Sequence, residues 1–222
     1  MKTLIASAVA AIVAGPVMAG TSVNVGIDDS TANWLGFMNV SELDGTPVFG
    51  SGWGIPDLVA NFDDGANTLT MSPNTIGDPD PFWYQGGGGP GAMGNKIMEA
   101  NLYQEVADGS LAGQTLNFSG NILSNSFTDA HQARVFIRDF EAGFGSSVDT
   151  FVDVDAAGNF SISQTLINDA SRVVQWGLQV EGVNVWVTDV DPFGNIVFQT
   201  IPAPGAAALL GLGGLVATRR RR

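Results

Sequence analysis

Short runs of alternating apolar and polar residues dominate the chain between residues 34 and 199. The clearest run, Gln114–Leu123, places apolar side chains two residues apart, with Asn and Ser between them. Similar runs, bounded by Gly, Pro, Asn and Asp, are Trp34–Val40, Asp57–Phe62, Thr68–Met71, Lys96–Val106, Ala133–Phe140, Asp149–Val154, Asn159–Gln164, Arg172–Val180, Val183–Val187 and Asn195–Gln199. A period of two predicts strands. We therefore expect an all-β fold, a single antiparallel two-sheet β-sandwich.

One long segment interrupts the alternation. Met71–Asn95 contains four prolines and seven glycines around the aromatic triplet Phe82-Trp83-Tyr84. A loop of this length inside a compact domain is usually functional or disordered, and its aromatic residues argue against simple disorder. The sequence therefore predicts a functional loop here.

The first residues have the layout of a secretory signal peptide. Lys2 precedes the apolar stretch Leu4–Ala14, a Gly-Pro pair breaks it, and a small residue, Ala19, precedes Gly20. This order of a cation, an apolar stretch and a small-residue cleavage site predicts cleavage after Ala19 by signal peptidase. The alternative is a buried N-terminal helix. We expect residues 1–19 to be a signal peptide and the mature chain to begin at Gly20, outside the cytoplasm.

The last residues combine a proline motif, an apolar run and a basic end. Gly205–Thr218 has no charge, but its fourteen residues are fewer than the ~20 that a spanning helix needs. Cations that remain on the cytoplasmic side follow this run, so we expect transient membrane insertion during export. The residues concerned are Pro202, Ala203 and Pro204 at the start and Arg219, Arg220, Arg221 and Arg222 at the end.

This tail, residues 201–222, resembles the PEP-CTERM sorting tail of bacteria with an outer membrane. The resemblance implies cleavage near the prolines by an exosortase-type membrane protease and delivery to the cell surface or extracellular matrix. Ala203 stands where the family usually has Glu, which affects the expected processing efficiency or enzyme subtype. A simple C-terminal membrane anchor is the alternative. The expected domain of the mature protein is residues 20–200.

Charge separates the body of the chain from its ends. All 22 acidic residues lie in the body, against 4 basic ones (Lys96, Arg134, Arg138 and Arg172), which leaves a formal charge of −18. Such a surface repels nucleic acid and anionic lipid and favours neutral polysaccharides or divalent cations. The absence of cysteine excludes disulfides and thiol chemistry.

The sequence offers little for catalysis. His131 is the single histidine, and no serine lies in the G-x-S-x-G pattern that accompanies a catalytic triad. Pairs of carboxylates hydrolyse glycosidic bonds, but 22 acidic residues produce such pairs by chance. There is no zinc-type spacing, and the glycine run 86–91 lacks the context of a phosphate-binding loop. We expect a protein that is not an enzyme.

Aromatic residues are the candidates for a sugar-binding site, because aromatic rings pack on the C–H faces of neutral sugars beside polar partners. We expect Trp83 and Tyr84 in the long loop to be the most exposed of them. Trp53 lies between two glycines, and Trp176 has Gln175 and a second glutamine close by. The alternative is that each of these rings belongs to the core.

Paired acidic residues are the candidates for a structural calcium site, since calcium prefers carboxylate and carbonyl oxygens. The candidate ligands are Asp28, Asp29 and Asp189, with Asp78, Asp80 and Asp191 in similar pairs. None of them matches the EF-hand pattern. The alternative is that they are solvated turn residues.

A second resemblance concerns the body. The segment ANLYQEVADGSLAGQTLNFSGNIL, followed later by NVWVTDVDPFGNIVF, is similar to jelly-roll carbohydrate-binding modules. It implies a jelly-roll sandwich that binds a glycan without catalysis, with a structural calcium at Asp189 and with Asp28 or Asp29. The alternatives are a structural or adhesive surface protein without a small-ligand site, and a polysaccharide-degrading enzyme.

Overall fold

The computed structural model describes residues 21–202, which form twelve strands, two short 3-10 helices and no α-helix. The strands are β1 (Ser22–Val25), β2 (Leu35–Ser41), β3 (Pro47–Gly52), β4 (Ala60–Asp63), β5 (Thr68–Met71), β6 (Ile97–Val106), β7 (Thr115–Asn125), β8 (His131–Phe140), β9 (Ser147–Asp153), β10 (Gly158–Thr165), β11 (Val173–Val183) and β12 (Ile196–Gln199). The 3-10 helices are Ile55–Leu58 and Asp191–Phe193. Two six-stranded sheets result, which confirms the predicted all-β sandwich.

The first sheet is organised around β7. Strand β10 pairs antiparallel along residues 115–122 of β7. Because a strand has two edges, β1 and β12 share the other one, at residues 115–118 and 121–125 respectively. Strands β5 and β4 follow β12. The pairing of β1 with β7 is parallel, so the expectation of a wholly antiparallel sandwich is wrong at this strand.

The second sheet has the order β3-β2-β6-β11-β8-β9, and all its pairs are antiparallel. Its inner face is apolar, and its β6 side chains Met98, Ala100 and Leu102 are fully buried. They face a layer from the first sheet that includes Leu116 and Phe118. Each buried Leu, Met or Phe side chain contributes about 1.5–3 kcal/mol by its burial, so this double layer is the main stabilising element.

Two segments predicted as strands adopt other structures. The run Asp57–Phe62 becomes a 3-10 helix and then β4, since Pro56 starts the helix and Val59 adopts a left-handed backbone (φ 53°). The run Val183–Val187 is not a strand, because β11 continues to Val183 and the chain then turns, leaving an isolated bridge at Val185. Strands β1 and β3 were not predicted.

The long loop between β5 and β6 is built around a buried tyrosine. Tyr84 has 0% of its surface exposed, and its hydroxyl oxygen lies 2.6 Å from the Ile76 carbonyl and 3.0 Å from the Val185 carbonyl. Its ring packs edge-to-face on Trp186, with centroids 5.3 Å apart. Burial raises the pKa of this phenol, which keeps its proton available for donation. The aromatic residue therefore anchors the loop to the 183–187 segment.

The processing signals lie almost entirely outside the described residues. Ala19, Gly20, Ala203, Pro204 and Arg219–Arg222 belong to the parts that the structure does not describe, as do the expected signal helix and C-terminal helix. Pro202 is described and exposed. Within residues 21–202, no helix has the length and apolar character needed to cross a membrane. The predicted boundaries at residues 19/20 and 200/201 stay predictions.

Candidate functional site

The outer faces of the two sheets carry different chemistry. The first sheet presents short amide and hydroxyl side chains that hydrogen-bond to each other, for example Asn117 to Asn24 and Asn121 to Asn159. The second sheet presents long charged, amide and aromatic side chains from alternate positions of β2, β6, β11, β8 and β9: Phe37, Asn39, Glu99, Asn101, Tyr103, Glu105, Gln175, Gln179, Glu181, Arg134, Phe136, Arg138, Phe140, Asp149, Phe151 and Asp153. We call this second surface the open face.

A buried amide lies at the centre of the open face. Asn101 has 0% exposure, and its Oδ1 accepts hydrogen bonds of 3.0 Å from Arg138 Nη1 and from Gln179 Nε2. Its Nδ2 donates to Glu99 Oε1 at 3.0 Å. Asn39 donates to the same carboxylate oxygen at 2.8 Å. These bonds join four strands and hold the polar side chains in fixed positions.

Arg138 is held by both rings and charges. Its guanidinium carbon lies 4.3 Å from the Phe136 ring centroid and 5.2 Å from that of Phe151. Carboxylate oxygens of Glu99 and Asp149 lie 3.7 and 3.8 Å from its nitrogens. Burial lowers the pKa of Arg138, and the negative charges of these two carboxylates offset only part of that shift. The side chain stays a charged, oriented donor, since an arginine is effectively always protonated.

A groove of about 550 Å³ crosses the open face above this network. Its aromatic lining is Phe37, Tyr103, Phe140 and Phe144, and its polar lining is Asn39, Arg138, Ser147, Asp149 and Gln175. Phe144 lies in the β8–β9 turn with φ 62°, and its ring packs on Phe140 at 5.2 Å. We call this cavity the open-face groove.

Three polar groups of the groove have hydrogen-bonding capacity left over. Within residues 21–202, neither the Tyr103 hydroxyl nor the Asp149 carboxylate takes part in a hydrogen bond, and Gln175 uses only its Nε2, which donates to Glu105 at 2.8 Å. Burial, followed by the charge of Glu105, raises the pKa of Tyr103, so this phenol stays protonated. Together with Ser147, the groove therefore offers two hydroxyl donors and several oxygen acceptors between aromatic rings.

The structure places the aromatic residues expected from the sequence away from this groove. Tyr84 and Trp176 are buried, so the expected exposure of Tyr84 is wrong, and Trp176 shares the inward side of β11 with Leu178. Trp83 is half-buried and packs edge-to-face on Phe82, with centroids 4.7 Å apart. The buried rings of Tyr84 and Trp176 therefore offer no face to a sugar.

Trp53 is also half-buried, and its Nε1 donates to Ser51 Oγ at 2.9 Å. It borders a hollow of about 510 Å³ with Pro56 and Gly77. A larger hollow, of about 840 Å³, lies between the long loop and the 184–193 segment and is lined mainly by small and apolar residues. The ligand-binding roles of Trp53 and Trp83 stay predictions.

The carboxylates expected to bind calcium hydrogen-bond within the protein. Asp28 accepts from Gln104 Nε2 at 2.9 Å, Asp29 from the Thr31 amide at 3.0 Å, and Asp189 from the Gly91 amide at 2.6 Å. The described part of the chain contains no group of three or more His, Cys, Asp or Glu residues able to hold a metal ion. Calcium binding stays a prediction.

His131 is a core residue in the structure. It has 6% exposure, its ring stacks on Phe127 at 5.9 Å, and Phe193 approaches it edge-on at 5.3 Å. Its Nε2 lies 3.0 Å from the Val183 carbonyl oxygen, while Nδ1 has no partner among residues 21–202. The ring closes one end of the sandwich at the start of β8.

This burial predicts a pH dependence of stability. Burial lowers the pKa of His131 below its ordinary 6.5, although the hydrogen bond to Val183 opposes the shift. Below pH 6.5 the unfolded chain binds a proton that the folded chain does not, so the free energy of unfolding falls as the pH drops from 7 to about 5. The slope is at most about 1.4 kcal/mol per pH unit and levels off below the folded-state pKa. Urea denaturation across this range measures it.

The control uses the fact that the chain has one histidine. His131→Phe and His131→Gln both remove the titrating ring, and we expect each to flatten the dependence between pH 5 and 7, whatever its effect on absolute stability. A slope that persists in both variants would contradict the assignment.

Comparison with known proteins adds weak structural likenesses. No protein-family model matches the chain, and no curated protein matches it. Among solved structures, TmCBM61 in complex with β-1,4-galactotriose is similar over 75% of this chain and 83% of its own, with 13% identity and a TM-score of 0.33. A structure reported for carbohydrate-binding modules of the β-sandwich superfamily covers 76% and 73%, with 15% identity and a TM-score of 0.34. TM-scores this low support no statement about the function of this chain.

Proposed function

We propose that the body of this chain binds a glycan in the open-face groove without transforming it. The observation that carries the proposal is the combination of four aromatic rings with unused hydrogen-bonding groups in one groove. Sugar C–H faces pack on such rings, and sugar hydroxyls need the polar partners beside them. The hollow on the first sheet, of about 570 Å³, has one aromatic residue in its lining, the buried Phe160, and several amides and hydroxyls of that outer face hydrogen-bond to each other.

The groove has room for several sugar units. Its lining comes from β2, β6, β11, β8 and β9, which are consecutive strands of the second sheet. Four interstrand spacings of ~4.8 Å give a path of about 19 Å. This length supports an oligosaccharide or an internal stretch of a polysaccharide as the ligand.

We also propose that the protein works outside the cytoplasm and that its sandwich is of the jelly-roll type. The signal-peptide-like start and the tail that resembles PEP-CTERM support export. An exosortase-sorted protein at the cell surface or in the matrix is the form we favour. A structural or adhesive protein without a ligand is the alternative for the body.

Ring removal in the groove tests the proposal. We expect Tyr103→Ala and Phe37→Ala to weaken the binding of a neutral oligosaccharide, found by screening a glycan panel, by about ten-fold or more, since central aromatic contacts commonly contribute over 1 kcal/mol. Tyr103→Phe should lose less, because it keeps the ring. Isothermal titration calorimetry measures the dissociation constants.

The competing site is the one expected from the sequence. Trp83→Ala lies outside the groove and should leave the affinity unchanged. A loss of binding in Trp83→Ala with full affinity in Tyr103→Ala would move the site to the long loop. A protein that binds no glycan of the panel would favour the structural alternative.

A further inference from the structure

The open face carries an excess of negative charge. Five carboxylates lie on it against two guanidiniums, which leaves a formal charge of −3 on this surface; the residues are Glu99, Glu105, Asp149, Asp153 and Glu181 against Arg134 and Arg138. Asp149 lines the groove, and Glu99 and Glu105 hydrogen-bond to its lining residues Asn39 and Gln175, so these three charges act on the groove with little screening. A ligand that enters the groove therefore meets a negative field.

The two arginines are already paired. Arg138 has only 13% of its side chain exposed and contacts Glu99 and Asp149, while Arg134 lies 3.0 Å from Asp153 and 3.6 Å from Glu181. A uronate carboxylate would have to compete with these partners for a guanidinium and would face all five carboxylates of the open face. The open face is therefore unsuited to acidic sugars.

The acceptors that remain lie in one row across four strands. Register places Asp149 of β9 opposite Arg138 of β8, then Gln175 of β11 and Glu105 of β6. Gln175 is 6% exposed and lines the groove, and its Oε1 accepts no hydrogen bond from residues 21–202. Asp149 likewise accepts none, and Glu105 uses one oxygen for Gln175. The row thus places the buried amide of Gln175 between the Glu105 carboxylate on one side and the Arg138–Asp149 ion pair on the other.

We propose that the preferred ligand is a glycan with protonated amino groups, that is, a polymer of 2-amino sugars without N-acetyl groups; this inference rests on the proposed function. An ammonium group has three donors and no acceptor, which matches the free oxygens of the neighbouring Gln175 and Glu105. Its charge also offsets the excess on the open face. The aromatic rings bind the sugar faces, and the row selects the amine.

The experiment compares hexasaccharides of equal length by titration calorimetry at pH 5.5, where sugar amines are protonated. The probes are hexamers of glucosamine, N-acetylglucosamine, glucose and galacturonate. We expect the glucosamine hexamer to bind at least about ten-fold more tightly than the N-acetylated one, as for hydrogen bonds to charged groups. The preference should shrink as salt rises from 0.05 to 0.5 M. Galacturonate should bind weakest.

Matched variants locate the effect. Asp149→Asn and Glu105→Gln each keep the side-chain shape and an oxygen acceptor, and each should weaken the binding of the glucosamine hexamer several-fold more than that of a neutral hexamer. Asp129→Asn removes one charge from an exposed turn outside the groove and should leave the preference intact. An equal effect of all three variants would attribute the preference to net charge alone and overturn the proposal.

The outcomes separate this inference from the proposed function. Binding of a neutral hexamer without any preference for the amine overturns the inference and leaves glycan binding in place. Absence of binding to every hexamer overturns both. Oligolysine that binds as tightly as the glucosamine hexamer, with no loss in Tyr103→Ala, would make a basic peptide the ligand and also overturn the inference.

Discussion

Asp139→Ala should lower the free energy of unfolding by about 3–5 kcal/mol, because it leaves a buried guanidinium without its partner. Asp139 has 1% exposure, and its Oδ1 accepts from Arg172 Nε at 2.7 Å. Its second oxygen accepts from the Ile167 amide at 2.8 Å. The pair fastens the segment between β10 and β11 to the end of β8. Denaturant unfolding of the wild type and the variant measures the loss.

The matched control is an exposed ion pair on the same strand. Arg134 Nε and Asp153 Oδ1 lie 3.0 Å apart, against 2.7 Å in the buried pair, but both side chains reach solvent. Removing Asp153 by substitution with Ala should change the stability by no more than about 1 kcal/mol. Similar losses in the two variants would contradict the argument, which depends on burial and not on the number of ion pairs.

Tyr84→Ala should be the second large effect, with a loss of about 3–5 kcal/mol, as for the removal of other buried aromatic side chains. Tyr84→Phe keeps the ring and should cost about 1–3 kcal/mol, because the hydroxyl bonds to Ile76 and Val185 are lost. The variants that remain folded should bind glycan with unchanged affinity. Unfolding and calorimetry together check both expectations.

The control for Tyr84 comes from the same loop. Met93 is 64% exposed, so Met93→Ala should change the stability by no more than about 0.5 kcal/mol. A loss of glycan affinity in folded Tyr84→Phe, without a loss of stability, would support the role expected from the sequence instead.

The sequence predicted the strands whose alternation is strong. In β6 and β7 the apolar positions two residues apart are those that face the core, and the ends differ from the prediction by one or two residues. Strand β3 escaped prediction because its open-face positions are glycines, which carry no pattern. The parallel β1 escaped because its four residues gain their pairing from β7, far along the chain.

The candidate site depends on register, which the sequence does not specify. The predicted strand Lys96–Val106 places Glu99, Asn101 and Tyr103 on one side by its period of two, but the partners that complete the groove come from β11, β8 and β9. Tryptophans were predicted to bind sugar, but the hydrophobic effect favours the burial of such large rings in the core. The available signal was that polar and aromatic residues occupy alternate positions of several predicted strands, which places them on one face of a sheet.

Nuclear magnetic resonance mapping of the site tests the central claim most directly. A bound hexasaccharide should shift the resonances of the open-face groove, above all those of Tyr103, Gln175 and Asp149, and leave those of Trp53 and Trp83 unchanged. The account would be contradicted by resonance shifts that saturate with added hexasaccharide in the long loop and Trp53 while the open-face resonances do not change.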